Sequence, residues 1–418
     1  MPRWLYFLLI FAIRAPVLDV VHAPPLLIFI VAALGIIPLA ALIGTSVEGV
    51  AEHTGERIGG LLFATFGNAT ELIIGILALS QGLVDVVRAS IIGTILGNTL
   101  LVLGVSVCVG GFKHGRLKFE ARPASQYASL FALCIASLAL PTVAELLATR
   151  GQQPQIVERG IVLSDFVAIL LLVSYIAFIL FSVFHIGDKG GEEGEEEEQF
   201  RPVLGAYSVA AITRLVAYRR EIAKSSVANK SGVLRQIDGT LGAIVAHEAG
   251  VQLASTPPAQ PEQVSKPSLW RSLVFLSLAT IGVAILSEIL VSAIEPVTAA
   301  LGWSPAFVGL VFLPLIGGLP EYFNTISMAL DKRMGMVLAA SAGSSIQIAL
   351  LVAPILVLLS LFMKQRLDLV FNIIELAVLG LATFLFSEIT KDGELVWLEG
   401  LLLILLYAMM AGTVFLFG

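Results

Sequence analysis

The sequence predicts an all-α polytopic membrane protein: eleven transmembrane helices, one N-terminal and then two five-helix repeats of inverted topology, with broken helices at an ion site. Three observations predict it. Hydrophobic residues make up 57% of the 418 positions and charged residues only 13%, too few charges to coat a soluble domain of this size. Apolar runs long enough for a helix to cross a bilayer recur at about 24–47, 57–81, 84–111, 123–147, 160–185, 269–295, 303–330, 334–362, 367–388 and 395–417. Finally, a polar, glycine-interrupted patch inside the run from Ile58 to Ser80 returns in altered form inside the run from Phe307 to Leu330.

In chain order, residues 1–22 form an N-terminal transmembrane or surface helix. Arg3 followed by Trp4 to Ile13 imitates a signal peptide, but Arg14 interrupts the run and no small-residue cleavage site follows. Residues 23–185 hold the first five runs and residues 269–418 the second five. An odd number of crossings in each unit forces the second into the opposite orientation, so equivalent side chains approach mid-membrane from opposite sides.

Residues 186–268 are too polar to be membrane-buried and form a cytoplasmic linker. It contains the acidic run Glu192, Glu193, Glu195, Glu196, Glu197 and Glu198, a likeness of an amphipathic helix from Val203 to Lys224, and a Pro-rich end at Thr256–Pro261. The acidic run is expected to be solvated, with a regulatory role as a low-affinity concentrator of divalent cations as its functional reading. Basic residues set the orientation: Arg57, Lys113, Arg116, Lys118, Arg122, Lys332, Arg333 and Lys391 fall in loops read as cytoplasmic, against Arg88, Arg150, Arg159, Lys364 and Arg366 on the other side. Cys108 and Cys134 lie in apolar runs without metal-site or disulfide spacing and read as small buried hydrophobes.

The chemistry concentrates at two acids. Glu71 ends Ala64-Thr65-Phe66-Gly67-Asn68-Ala69-Thr70-Glu71, and Glu321 ends Gly317-Gly318-Leu319-Pro320-Glu321, each with a glycine four residues earlier. Gly93 follows Glu71 by 22 positions and Gly343 follows Glu321 by the same 22, with Thr94 and Ser344 next. Matching offsets around a rare intramembrane acid indicate an internal duplication. Gly67 in one copy, and Gly317-Gly318 with Pro314 and Pro320 in the other, are expected to break the helices and free backbone carbonyls.

Those carbonyls, two carboxylates and the Thr94 and Ser344 hydroxyls make an all-oxygen set suited to Ca²⁺, which takes six to eight oxygens at about 2.3–2.6 Å. No cysteine or histidine stands near either acid, so soft metals are disfavoured. When the ion leaves, two like charges in a low dielectric are neutralised most cheaply by protons, so one divalent ion and about two protons compete for one site. Asn68, Asn98, Asn324 and Gln347 are read as partners of the empty form or lining of the path. Glu48 and Glu288, on the helices preceding the two motif helices, are candidates for an accessory or proton-access position.

Three stretches resemble the calcium/proton exchanger family of the calcium/cation antiporter superfamily: Gly59 to Leu72, Gly93 to Gly104, and Gly343 to Leu350. The resemblance implies alternating access, with Ca²⁺ held at Glu71 and Glu321 and exported from the cytosol against inward proton flow. It also implicates Thr94, Ser344 and Gln347 as polar lining. One stretch departs: Gly317-Gly318-Leu319-Pro320-Glu321-Tyr322 lacks the family's Gly-Asn-Ala-x-Glu pattern and looks more like the sodium/calcium exchanger branch. That branch looks as though it uses a further acid where this chain has Ile348, so protons are preferred and a Na⁺-coupled Ca²⁺ exchanger is the alternative.

The expected function is therefore secondary active antiport of Ca²⁺ for H⁺, with no enzyme activity, no cofactor and no nucleic-acid partner. No Gly-x-x-x-x-Gly-Lys-Ser/Thr nucleotide motif occurs. The partners are Ca²⁺, H⁺ and the lipid bilayer, a homo-oligomer being compatible with the sequence. The location is the cell membrane of a prokaryote, or a vacuolar or other organelle membrane of a eukaryote.

Overall fold

Long apolar stretches with few charges can satisfy their backbone polar groups in lipid only as helices, and helices dominate. The computed structural model describes residues 5–54, 56–151, 160–184 and 268–417. These belong to the unit formed by Met1–Phe184 with Lys266–Gly418; a second unit, His185–Ser265, lies outside the described residues. The acidic run Glu192–Glu198 and the expected amphipathic helix therefore lie outside them as well.

The elements are α1 (Leu5–Val20), α2 (Pro25–Thr54), α3 (Glu56–Phe66), α4 (Ala69–Ser80), α5 (Val84–Leu96), α6 (Leu103–His114), β1 (Leu117–Lys118), α7 (Ala121–Arg150) and α8 (Gly160–Ser182). After the linker come α9 (Leu269–Ser292), α10 (Ile294–Leu301), α11 (Pro305–Phe307), α12 (Leu313–Leu330), α13 (Met334–Gln347), α14 (Ala353–Leu359), α15 (Ile373–Ile389), β2 (Glu394–Leu395) and α16 (Trp397–Phe417). Wider π turns join α5 to α6 at Gly97–Val102, α11 to α12 at Val308–Phe312 and α13 to α14 at Ile348–Val352.

The protein is a multi-pass membrane protein. Among the described residues, eight helical stretches are long and apolar enough to cross a membrane, from Pro25–Thr54 to Trp397–Leu416. Helix α1 has 16 residues and α15 has 17, and the α3–α4 pair is interrupted at Gly67–Asn68. The count of eleven spans therefore rests on the apolar pattern of the sequence.

The internal duplication is visible in the backbone. Val84 and Met334 begin equivalent helices 250 residues apart, Leu103 and Ala353 begin the next equivalent pair, and Ser80 and Leu330 end the helices before them. The connecting turns match as well. Gly82 (φ +83°) and Lys332 (φ +62°) both take the left-handed conformation, and each copy closes its helix with the same bonds: Gly82 N to Leu79 O and Leu83 N to Ala78 O, Lys332 N to Ala329 O and Arg333 N to Met328 O. Lysine tolerates that conformation less well than glycine, so the second copy keeps the turn against a small cost.

Side-chain filling of the two copies differs. Gly93 lies so close to the Leu310 carbonyl that any Cβ would overlap it, and Gly309 meets the Val86 carbonyl in the same way, which pins the π turn at 308–312 onto α5. Gly343, the counterpart of Gly93, has open space around it. Likewise the Ser106 hydroxyl bonds Thr325 at 2.9 Å, whereas the counterparts 250 residues away are Leu356 and Gly75, packed methyl against glycine.

One end of the bundle is stitched shut by the extended segment 364–372. Leu367, Leu369 and Phe371 are buried, and their N–H groups donate to the hydroxyls of Ser360, Ser164 and Thr142 at 3.0–3.1 Å. The flanking charges pair as Arg88–Asp368 and Arg366–Asp165, both at 2.7 Å. At the other end β1 and β2 form a short antiparallel ladder with Leu117 opposite Leu395, and Arg116 pairs with Glu394.

The contrast between the paired glycines is measurable. Gly93→Ala is expected to destabilise the protein by about 1–3 kcal/mol or more through overpacking, read as a lower melting temperature in detergent, while Gly343→Ala leaves it near wild type. Equal melting temperatures would contradict the packing described.

Candidate cation site

Glycine, proline and buried amides around two acids determine the local geometry. In the first copy the chain breaks between α3 and α4, where Gly67 is exposed and Asn68 takes the non-helical N-cap position (φ −112°, ψ 26°). Glu71 therefore falls in the first turn of α4, where the helix dipole favours a negative charge.

The second copy corrects the expectation of a matching break. Helix α12 runs unbroken through Gly317, Gly318 and Pro320 to Leu330. Pro314 sits in the first turn, where its missing N–H costs nothing, and the irregular backbone is displaced to the π turn at Val308–Phe312. Gly317 and Gly318 serve close approach instead. A Cβ on Gly317 would lie 2.8 Å from Glu71 Oε1, and one on Gly318 would lie 3.9 Å from Glu321 Oε2 and 4.0 Å from Asn98 Oδ1. The two carboxylates thus lie against adjacent residues of α12.

Glu321 is embedded in hydrogen bonds. Ser344 Oγ donates to Glu321 Oε1 at 2.7 Å and also lies 2.9 Å from Asn68 Oδ1, while Asn98 Nδ2 donates to Ser344 Oγ at 3.0 Å. Asn68 Nδ2 in turn donates to Gln347 Oε1 at 2.7 Å. A hydroxyl has one proton, so Ser344 serves only one of its two acceptors at a time. With Glu321 ionised, the proton points to the carboxylate. With Glu321 protonated, the acid donates to Ser344, Ser344 turns to Asn68, and every donor in the chain finds an acceptor.

Glu71 is treated differently. Its Oε2 is buried and has no hydrogen-bond partner among the described residues, a costly condition for a carboxylate oxygen. Nor do three or more His, Cys, Asp or Glu residues gather anywhere among the described residues, so a cation here would be held by this acid pair and neutral oxygens.

Other residues singled out in the sequence divide. Thr94 is buried and donates to the Ser90 carbonyl of its own helix at 2.9 Å, outside the network that its counterpart Ser344 anchors. Asn324 is exposed and lines a cavity of about 240 Å³, together with Gly67, Gly317 and Glu321. Glu48 and Glu288 are exposed on α2 and α9 and do not line that cavity, because the faces these helices turn inward carry Val47 and Ser287 instead.

Sequence reading missed three hydroxyl residues of the cavity wall, Thr70, Thr325 and Ser341. Ser341 lies one helical turn before Ser344, a spacing that could have flagged it.

Apolar helices long enough to cross a bilayer, packed around a cavity and a buried acid pair, are those of a membrane transporter. The comparisons agree. Residues 24–184 and 271–416 match the family described as sodium/calcium exchanger protein. The chain is 34% identical over 384 residues to a Ca(2+)/H(+) antiporter of Synechocystis, covering 92% of this chain and 89% of that one. It is 29% identical to vacuolar cation/proton exchanger 3 of rice, over 93% of this chain and 80% of that one. The solved structure of native YfkE has a TM-score of 0.71 at 27% identity and covers 99% of both chains. The chain belongs to the sodium/calcium exchanger family.

Close contact at Gly317 gives a test of the geometry. Gly317→Ala should displace the Glu71 carboxylate, which is a flexible end that can move, so the apo melting temperature stays near wild type. Thermal stabilisation by added divalent cation is expected to disappear; if it persists at wild-type concentration, Glu71 does not need that approach.

Proposed function

We propose that this chain is a secondary active antiporter that exchanges cytosolic Ca²⁺ for H⁺ by alternating access, the ion and the protons competing for Glu71 and Glu321. The observation that carries the reading is Glu71, which lies against Gly317 next to a second carboxylate and whose buried Oε2 has no partner among the described residues. Two ionised acids in an apolar bundle repel and lack solvation, so they require two positive charges. One Ca²⁺ supplies them, and so do two protons, but not both together.

Chemistry of the donors supports the choice of ion. Carboxylate, amide and hydroxyl oxygens suit a hard cation of flexible coordination, and Mg²⁺ sheds its water more reluctantly. The names of the relatives from Synechocystis and other organisms point the same way. Position 348 is a buried isoleucine, which leaves several Na⁺ ions without a third carboxylate to compensate them.

Proton release and uptake use the Ser344 hydroxyl. A single rotation of its O–H switches its acceptor between Glu321 Oε1 and Asn68 Oδ1, so the hydroxyl follows the gain or loss of the Glu321 proton. Asn98 and Gln347 hold the two ends of that chain.

The cavity is bounded by α2, α3, α4, α12 and α13 and reaches Met328 near the end of α12, where Lys332 and Arg333 mark the following turn as cytoplasmic. In this reading the structure faces inward. The repeats at 23–185 and 269–418 carry five crossings each, in opposite orientations, after an N-terminal span. Thr94 and the glycines at 67, 317 and 318 shape the site, and the acidic run of the linker modulates it.

In proteoliposomes, a pH gradient without Na⁺ is expected to drive Ca²⁺ uptake, and an absolute Na⁺ requirement would overturn the proposal. Glu71→Gln and Glu321→Gln should each abolish exchange, while Ser344→Ala should slow it at least tenfold, about 1.4 kcal/mol, with folding retained. Wild-type exchange in Glu71→Gln would remove the site assignment.

A further inference from the structure

The cavity wall carries more polar oxygen than the fold demands. Thr70 is 5% exposed and Ser341 is 2% exposed, both residues line the cavity, and Ser341 Oγ is buried with no hydrogen-bond partner among the described residues. Among those residues the side chains of Thr70 and Asn324 have none either. Thr325 also lines the cavity, but its hydroxyl is committed to the Glu321 carbonyl and to Ser106. Three neutral side chains without such a partner therefore share the cavity wall with Glu321, whose Oε1 accepts from Ser344 and whose Oε2 has no hydrogen bond among the described residues.

The duplication supplies an internal control. Shifting each of these positions by 250 residues gives Pro320 for Thr70, Ile74 for Asn324 and Ile91 for Ser341, all apolar, and both isoleucines are buried. The backbone accepts apolar residues there, so the hydroxyls and the amide are not required to build the helices. Ile74 and Ile91 stand outside the cavity wall, whereas Pro320 is itself part of it, so the contrast between wall and mirrored position is carried by Asn324 and Ser341. An unpartnered buried hydroxyl is unfavourable unless something else bonds it.

A divalent cation passing from water to a carboxylate pair must exchange its water oxygens for protein oxygens. Doing so in one step is slow and costly; neutral hydroxyl and amide oxygens replace water with little change in energy and do not trap the ion as a further acid would. The cavity of about 240 Å³ has room for a cation with part of its hydration shell.

We propose that Thr70, Asn324 and Ser341 form a second, outer cation site, at which a partly hydrated Ca²⁺ sheds water before it reaches Glu71 and Glu321. The site rests on the exchange function proposed above and adds to it. It binds weakly, draws its charge from Glu321 Oε2, and serves one side of the membrane only.

The test uses the full chain in proteoliposomes, with initial rates of pH-gradient-driven Ca²⁺ flux from the cavity side. Thr70→Val, Asn324→Ala and Ser341→Ala are expected to raise KM about three- to tenfold each, and the triple variant further, while the rate at saturating Ca²⁺ falls much less. Thr70→Ser and Ser341→Thr, which keep the hydroxyl, should restore the wild-type KM, and Ile91→Val at the mirrored position should not change it. A triple variant with wild-type KM, or hydroxyl-retaining variants as impaired as the apolar ones, would overturn the outer site while leaving the exchange function standing. Failure of the wild-type chain to exchange at all would instead fall on that function.

Discussion

Two carboxylates inside an apolar helix bundle are the constraint on which the rest of this structure depends. Each ionised group stripped of water is destabilised by several kcal/mol, and a like charge beside it adds to that cost. Among the described residues no basic residue relieves the problem: Glu321 is met by Ser344, which Asn68 and Asn98 hold in turn, all neutral, and Glu71 Oε2 is met by nothing. A permanent counter-charge would make the site stable and inert. Neutral partners leave the charge to be balanced by whatever mobile cation arrives, which is what a family of exchangers requires.

Duplication explains how such a pair is assembled, and its imperfections explain how the assembly has a direction. Helix ends, turns and a π segment repeat at a spacing of 250 residues, so each half supplies one acid at the equivalent position. The fillings diverge. Around one end, Gly93 and Gly309 lock a π turn to α5, Leu356 fills the space over Gly75, and segment 364–372 is held by three hydroxyls and two ion pairs. Around the other, Gly343 faces open space and a cavity reaches Glu321. Packed elements with two alternative arrangements are the physical basis of switching between states, and here equivalent elements of the two halves are packed differently.

Much of this was legible in the residues. The repeated offset from Glu71 to Gly93 and from Glu321 to Gly343 carried the duplication, and charge scarcity carried the membrane class. What could not be read was which glycines break a helix and which admit a neighbour. Gly67 does the first and Gly317 the second, although both stand four residues before a glutamate. The difference lies in the partner helix, invisible in a local pattern. Thr94 and Ser344 occupy equivalent positions too, yet only Ser344 faces amides from the other half, because Asn68 and Asn98 have no amide counterparts at Gly318 and Ile348.

Satisfaction of hydrogen bonds, rather than depth in the membrane, separates the acids of this chain by role. Glu375 is buried, but it closes a capping box with Asn372 at the start of α15 and so has a structural task. Asp165, Asp368, Glu388 and Glu394 each hold an arginine or a lysine. Glu321 shares one oxygen with a serine whose only proton has a second claimant. Glu71 alone of these has a buried oxygen with nothing to bond among the described residues. A folded chain tolerates such an atom when a partner outside the chain completes it, and for a carboxylate flanked by another carboxylate that partner must carry positive charge. The unfilled bond and the unbalanced charge therefore fall on the same side chain, which is why the cation site can be argued from Glu71 before any ion is bound.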